Sequence, residues 1–143
     1  MRIFFLILTA YFFAYAAKNI DIPYKDAVKK SAKDGKPILL EFYADWCIPC
    51  LEMEKTVFKD IAVQRELVGN FHFVRLNTEK FQEIVCEGFS LPVLDCMEMW
   101  ELDGIPAFAV LGKEGVLKHS AVGDFKKKEF LTFLKAVKQE SKK

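Results

Sequence analysis

The sequence predicts an α/β fold, a mixed central sheet with helices on both faces. Three observations predict it. Apolar runs of strand character alternate with segments of helical spacing. The first run, Pro37 to Ala44, is broken only by Glu41 and is dense enough for a strand buried on both faces. The chain then finishes in a hairpin signal and a last helix, an order that sets a mixed sheet between two helical layers. The length of 143 residues suits one domain and not two. Hydrophobic residues at 52% and charged residues at 29% exclude a disordered chain. With 21 basic and 20 acidic residues, net charge offers no general argument for nucleic-acid binding.

Ile3 to Ala17 comes first, an apolar run with only Thr9 polar, preceded by Arg2 and followed by Lys18. A membrane-spanning helix needs about 20 apolar residues, so this run is short for one. Its positive start and its end at Ala14-Tyr15-Ala16 fit a secretory signal peptide, with cleavage expected after Ala16. The alternative is an uncleaved anchor. A signal peptide over residues 1–16 leaves a domain over 17–143, with 20 basic and 20 acidic residues, in a periplasmic or secreted setting where disulfides persist.

Tyr24 to Asp34 has helical spacing between Pro23 and the stop signal Gly35. After the Pro37–Ala44 strand, Pro49 to Phe58 reads as a second helix. Asp60 is a candidate cap for a third, running to Val68 and closed by Gly69 and Asn70. Phe71 to Leu76 is a second strand. Thr78 to Trp100 is expected to hold one or two short helices around Gly88 and Pro92. Ala107 to Leu111 and Val116 to Val122 flank Gly112-Lys113-Glu114-Gly115, a hairpin signal. Asp124 is expected to cap the last helix, whose apolar face carries Phe130, Phe133, Leu134 and Val137.

Trp46-Cys47-Ile48-Pro49-Cys50 lies between a buried strand and a helix. Two cysteines three positions apart at a helix start can close a small disulfide ring. The first sulfur faces the free N–H groups and the positive end of the helix dipole, which favour thiolate over thiol. Helix-terminal Cys-x-x-Cys thiols fall to pKa values of about 3.5–7.5. Cys47 is therefore expected to attack, and Cys50, one turn in, to resolve the mixed disulfide. A structural bridge or half of a zinc site are the alternatives. Zinc wants a second close Cys/His pair, and Cys86, Cys96, His72 and His119 do not provide one. No metal and no organic cofactor are expected.

Glu41 to Cys50 resembles the active-site segment of thioredoxins. Its Tyr-Ala-Asp-Trp-Cys wording, with Glu52-Met53-Glu54 and Thr56-Val57-Phe58, looks most like the C-terminal periplasmic domain of DsbD-type disulfide reductases. Arg75-Leu76-Asn77, Gly104-Ile105-Pro106 and Val122-Gly123 extend the likeness over most of residues 20–140. The chain has no room for the multi-span membrane domain of DsbD. The resemblance implies a thioredoxin fold and a cis bond at Ile105-Pro106. It also implies substrate-binding roles for Trp46, Ile105 and Pro106, and catalytic roles for Glu41 and Glu54 beside Cys47 and Cys50. Glu41 takes the place of the family's buried acid, and burial in an apolar strand should raise its pKa. It could then accept the Cys50 proton, and replacing it with Gln should stabilise the fold. A helix-surface charge is the competing reading for Glu54. Arg75 stands where thioredoxins carry Lys.

Cys86 and Cys96 are not required by that pattern. From Phe81 to Gly112 there are six acids, Glu83, Glu87, Asp95, Glu98, Glu101 and Asp103, and no Lys or Arg. In an oxidising compartment two leftover cysteines most often pair with each other. A structural bridge is favoured here over a second redox pair, since neither cysteine has an evident activating environment.

The expected activity is dithiol–disulfide exchange with protein disulfide substrates, reducing or isomerising them. The resemblance favours reduction over oxidation, because oxidising relatives often carry a His between the cysteines and Ile48-Pro49 supplies none. A reductant outside the cytosol must be recharged, which implies a membrane-bound thiol electron donor. Two further readings are a dedicated apocytochrome c thiol reductant and a non-catalytic binding module or chaperone.

Overall fold

The computed structural model describes residues 19–140. The leader expected over residues 1–16 lies outside them. No helix among the described residues is long and apolar enough to cross a membrane.

Four strands, β1 (Ile38–Tyr43), β2 (His72–Asn77), β5 (Ala107–Leu111) and β6 (Leu117–Val122), form the central sheet in the order β2-β1-β5-β6. β1 runs parallel to β2 and antiparallel to β5, and β5 and β6 form the expected hairpin. β1 and β5 are central, which explains their near-continuous apolar sequences. Side chains alternate across β1. Leu40 and Phe42 enter one core with α1 (Tyr24–Asp34) and α4 (Val93–Met99). Leu39 enters the opposite core with α2 (Ile48–Thr56), α3 (Ile61–Asn70) and α5 (Lys127–Glu140). Glu41, two residues from Leu39, therefore points to the face that carries α2.

The helix boundaries have local causes. Gly35 closes α1 in the left-handed conformation, at φ 73°, and donates its N–H to Ser31. The Asp60 carboxylate accepts from Ala62 and Val63 N–H and starts α3. α3 runs on through Gly69 to Asn70, so those residues do not stop it; Phe71 does, in extended conformation. Asp124 does not cap α5. The helix begins three residues later, where the Glu129 carboxylate reaches back to the Lys126 N–H at 2.9 Å.

The largest difference from expectation lies in residues 78–100. They contain a β-hairpin, β3 (Glu83–Cys86) with β4 (Phe89–Pro92), followed by a single helix, α4. Glu87 and Gly88 supply the positive-φ turn between its strands, at 49° and 86°. This hairpin docks on the β5–β6 turn. The Glu87 and Gly88 N–H groups donate to the Gly115 and Glu114 carbonyls. Gly115 is required there: a Cβ would sit 1.9 Å from the Val85 carbonyl oxygen. The Glu87 carboxylate adds bonds to Trp100 Nε1 and Leu117 N–H. The Cys86–Cys96 disulfide then ties β3 to α4.

Candidate active site

β1 delivers the chain to the N-terminus of α2 through Ala44, whose carbonyl accepts the Cys47 N–H. Cys47 is the N-cap of α2, and its Sγ accepts the Cys50 N–H at 3.2 Å. Pro49 lies within the first turn, where its missing N–H costs nothing. Cys47 and Cys50 form a disulfide with 5.3 Å between their Cα atoms. Both are buried with Ala44, and Tyr43 and Ile105 pack against the group. The flanking residues are open to solvent: Trp46 is 63% exposed and Ile48 74%. The Trp46 indole is held by Glu79, which accepts its Nε1–H at 2.8 Å. Ile105-Pro106 is a cis bond, and Ile105 packs against the cysteine pair.

Glu41 is fully buried in a central strand rather than at a sheet edge. Arg75 lies opposite it in the β1–β2 register, and its Nε donates to Glu41 Oε2 at 2.5 Å. Burial pushes the Glu41 carboxyl up to about 7, against the opposing pull of Arg75. Glu41 Oε1 has no hydrogen-bond partner among the described residues. The guanidinium is itself mostly enclosed, stacked 4.5 Å from the Tyr43 ring centroid and 5.4 Å from that of Phe58. Glu54 lies on the exposed side of α2, with its carboxylate 3.5 Å from Arg75. It is thus a half-exposed helix charge that also extends the Glu41–Arg75 pair.

Arg75 corrects one expectation. A Gln at position 41 removes a costly buried acid but also deprives a mostly buried guanidinium of its nearest anion. Breaking one side of such a pair is destabilising, so a plain gain in stability does not follow.

Trp46, Cys47, Cys50, Ile105 and Pro106 therefore converge at one end of the sheet, with Glu41 and Glu54 linked through Arg75 along β1 and α2. Cys86 and Cys96 are bonded to each other within the α1–α4 core and are not part of this group. Two contributors were not singled out from sequence: Glu79 as the anchor of Trp46, 33 residues away, and Tyr43 as the stacking partner of Arg75. The alternation of Tyr43 with Glu41 on one strand face was the only signal for the latter. Among the described residues no group of three or more His, Cys, Asp or Glu is placed to hold a metal ion.

The profile of the family described as Thioredoxin-like matches residues 19–113. The chain belongs to the thioredoxin-like family. Its sheet order, its Cys-x-x-Cys helix start and its cis-proline loop make it a thioredoxin fold. It is 34% identical over 111 residues to the chloroplastic thioredoxin-like protein HCF164 of Oryza sativa subsp. japonica, an alignment covering 76% of this chain and 35% of that protein. It is 29% identical over 115 residues to the thiol:disulfide interchange protein DsbD of Colwellia psychrerythraea, covering 79% of this chain and 18% of the other. The chain thus spans about a third or less of these relatives. Among solved structures, the reduced C-terminal domain of Neisseria meningitidis DsbD superposes with a TM-score of 0.56 at 23% identity, covering 78% of this chain and 91% of that one. A Thermus thermophilus thioredoxin gives 0.62, also at 23% identity, over 80% and 83%.

Proposed function

We propose that the protein is a periplasmic or secreted thiol:disulfide oxidoreductase that reduces or isomerises disulfides in protein substrates. One observation carries the reading: Cys47 caps α2 next to the cis-Pro106 loop, with Cys50 bonded to it and the raised acid Glu41 buried on the α2 face.

In the reduced protein, the helix N-terminus favours the Cys47 thiolate. That thiolate attacks one sulfur of a substrate disulfide. A Cys47–substrate S–S bond forms, the substrate S–S bond breaks, and the second substrate sulfur leaves as a thiolate that takes a proton. Cys50 then loses its proton, with Glu41 as acceptor, and attacks Cys47 Sγ. The Cys47–Cys50 bond forms and the remaining substrate sulfur departs as thiolate. Two electrons pass from the dithiol to the substrate. Ile48-Pro49 adds no donor or positive charge to stabilise the thiolate further, which favours a reductant over a strong oxidant.

Exposed Trp46 and half-buried Ile105 form the surface against which the substrate lies. The oxidised enzyme is recharged by a membrane-bound thiol donor. Residues 1–16 direct export, and residues 17–143 are the mature domain. The relatives named for thiol:disulfide interchange support this reading.

Insulin reduction tests it. Wild-type protein reduces insulin in the presence of a dithiol, and Cys50→Ser accumulates mixed disulfides with substrate that mass spectrometry detects. A Cys50→Ser protein with intact turnover defeats the assigned roles, and a wild type without turnover leaves a binding module.

A further inference from the structure

An open cleft of about 440 Å³ runs from Thr78 and α4 to Ile105, within the range of about 300–1,000 Å³ typical of ligand sites. Its apolar lining includes Leu94, Met97 and Ile105, and Ile105 also packs against Cys47 and Cys50. The lining is thus continuous with the redox site through one side chain. Three exposed acids, Glu98, Glu101 and Asp103, stand around it. No described Lys or Arg forms an ion pair with any of them. The whole stretch from Phe81 to Gly112 has no basic residue that could neutralise the rim.

We infer that this cleft docks a basic segment of the substrate polypeptide, with an apolar side chain on the Leu94–Met97–Ile105 lining and Lys or Arg against Glu98, Glu101 and Asp103. The inference rests on the proposed exchange activity and adds substrate selectivity to it. Charge complementarity identifies the occupant: an acidic segment would meet three unpaired carboxylates, whereas a basic one is attracted during encounter and held afterwards. Asp103 and Glu101 lie two and four residues before Ile105, which packs against the cysteine pair, so the selected basic residue lies within a few positions of the attacked cysteine. The Cys86–Cys96 bridge holds α4, and with it one wall of the cleft, to β3.

The test compares two disulfide-linked peptides that differ only three residues from the cysteine, where one has Arg-Leu and the other Glu-Leu. Reduction by the dithiol protein is followed by stopped-flow tryptophan fluorescence. At about 20 mM salt the Arg peptide reacts at least fivefold faster. At about 500 mM salt the ratio falls below twofold, because surface charges are then screened within a few ångströms. In the triple variant Glu98→Gln, Glu101→Gln, Asp103→Asn the ratio is below twofold at both salts. Equal rates in the wild type, or a preference that survives in the triple variant, overturns the inference.

Reduction of the small neutral disulfide bis(2-hydroxyethyl) disulfide tests the exchange activity separately. If that activity is absent, equilibrium binding of Cys→Ser forms of the two peptides still decides the cleft, with the same fivefold ratio expected and equal affinities overturning it. A dimer in sedimentation that the triple variant dissolves assigns the cleft to a second copy and also overturns it.

Discussion

Cys47–Cys50 and Cys86–Cys96 are buried to the same degree, with exposures of 2%, 1%, 0% and 0%. Burial therefore does not distinguish the two pairs; the atoms facing the sulfurs do. Cys47 Sγ faces the Cys50 N–H at the head of a nine-residue helix. Cys86 Sγ lies 3.8 Å from the Ile84 carbonyl oxygen, and Cys96 Sγ lies 3.8 Å from that of Leu91. A thiolate at Cys47 would meet donors, and one at Cys86 or Cys96 would meet acceptors. The surroundings differ in the same sense. Trp46 and Ile48 are exposed to solvent beside the first pair, whereas the second lies inside the core shared by α1, α4 and β3.

The sharpest way to break this contrast is to exchange the sulfurs for oxygen. Cys47→Ser is expected to lower insulin reduction by at least about 10³-fold, since thiolate attack is the first step. The Cys86→Ser, Cys96→Ser double variant should keep turnover within about threefold. If the double variant loses activity along with Cys47→Ser, the two pairs act as one relay and the contrast fails.

The second prediction concerns stability. Removing Cys86–Cys96, whose cysteines are ten positions apart, deletes a loop constraint of about 3 kcal/mol in the chain-entropy model. Urea denaturation should show that loss as a lower midpoint with a steeper slope, because the uncrosslinked unfolded chain exposes more surface. Mass mapping under graded dithiothreitol should find Cys47–Cys50 open while Cys86–Cys96 remains closed. Simultaneous opening would favour a second redox pair.

The same contrast shows what was legible in the sequence. The Cys47–Cys50 site could be read because its determinants are local: strand, cysteine spacing and helix start lie within about ten residues. Glu41 stood out as the only charge in an apolar run. Its partner Arg75 is 34 residues away and meets it only through the β1–β2 register, so the pair was hidden. Residues 78–100 were misread for a related reason. β3 and β4 are four residues each, too short for periodicity to distinguish them from a helix turn. Their stability comes from distant contacts with Gly115, Leu117 and Trp100. Local propensity could not reveal those.

The last prediction concerns the buried acid, which only the first pair has. Glu41 has its carboxyl raised to about 7 from 4.5, chiefly by burial. Below pH 4.5 the carboxyl is protonated in both the folded and unfolded chain and has no effect on the balance. Between 4.5 and about 7 the unfolded chain releases the proton while the folded chain keeps it. Stability therefore falls as pH rises through this window, and the loss is complete above it. Glu41→Gln should flatten this part of the stability profile, read as the urea midpoint from pH 4 to 8. The same variant should slow release of the mixed disulfide about tenfold near pH 7, because Cys50 loses its proton acceptor. Arg75→Leu provides the complementary reading. Without the guanidinium the Glu41 carboxyl should titrate higher, moving both the stability step and the exchange profile to higher pH. An exchange profile from pH 6 to 9 that is the same in wild type, Glu41→Gln and Arg75→Leu removes Glu41 from the chemistry and leaves the Glu41–Arg75 pair a structural feature of the sheet.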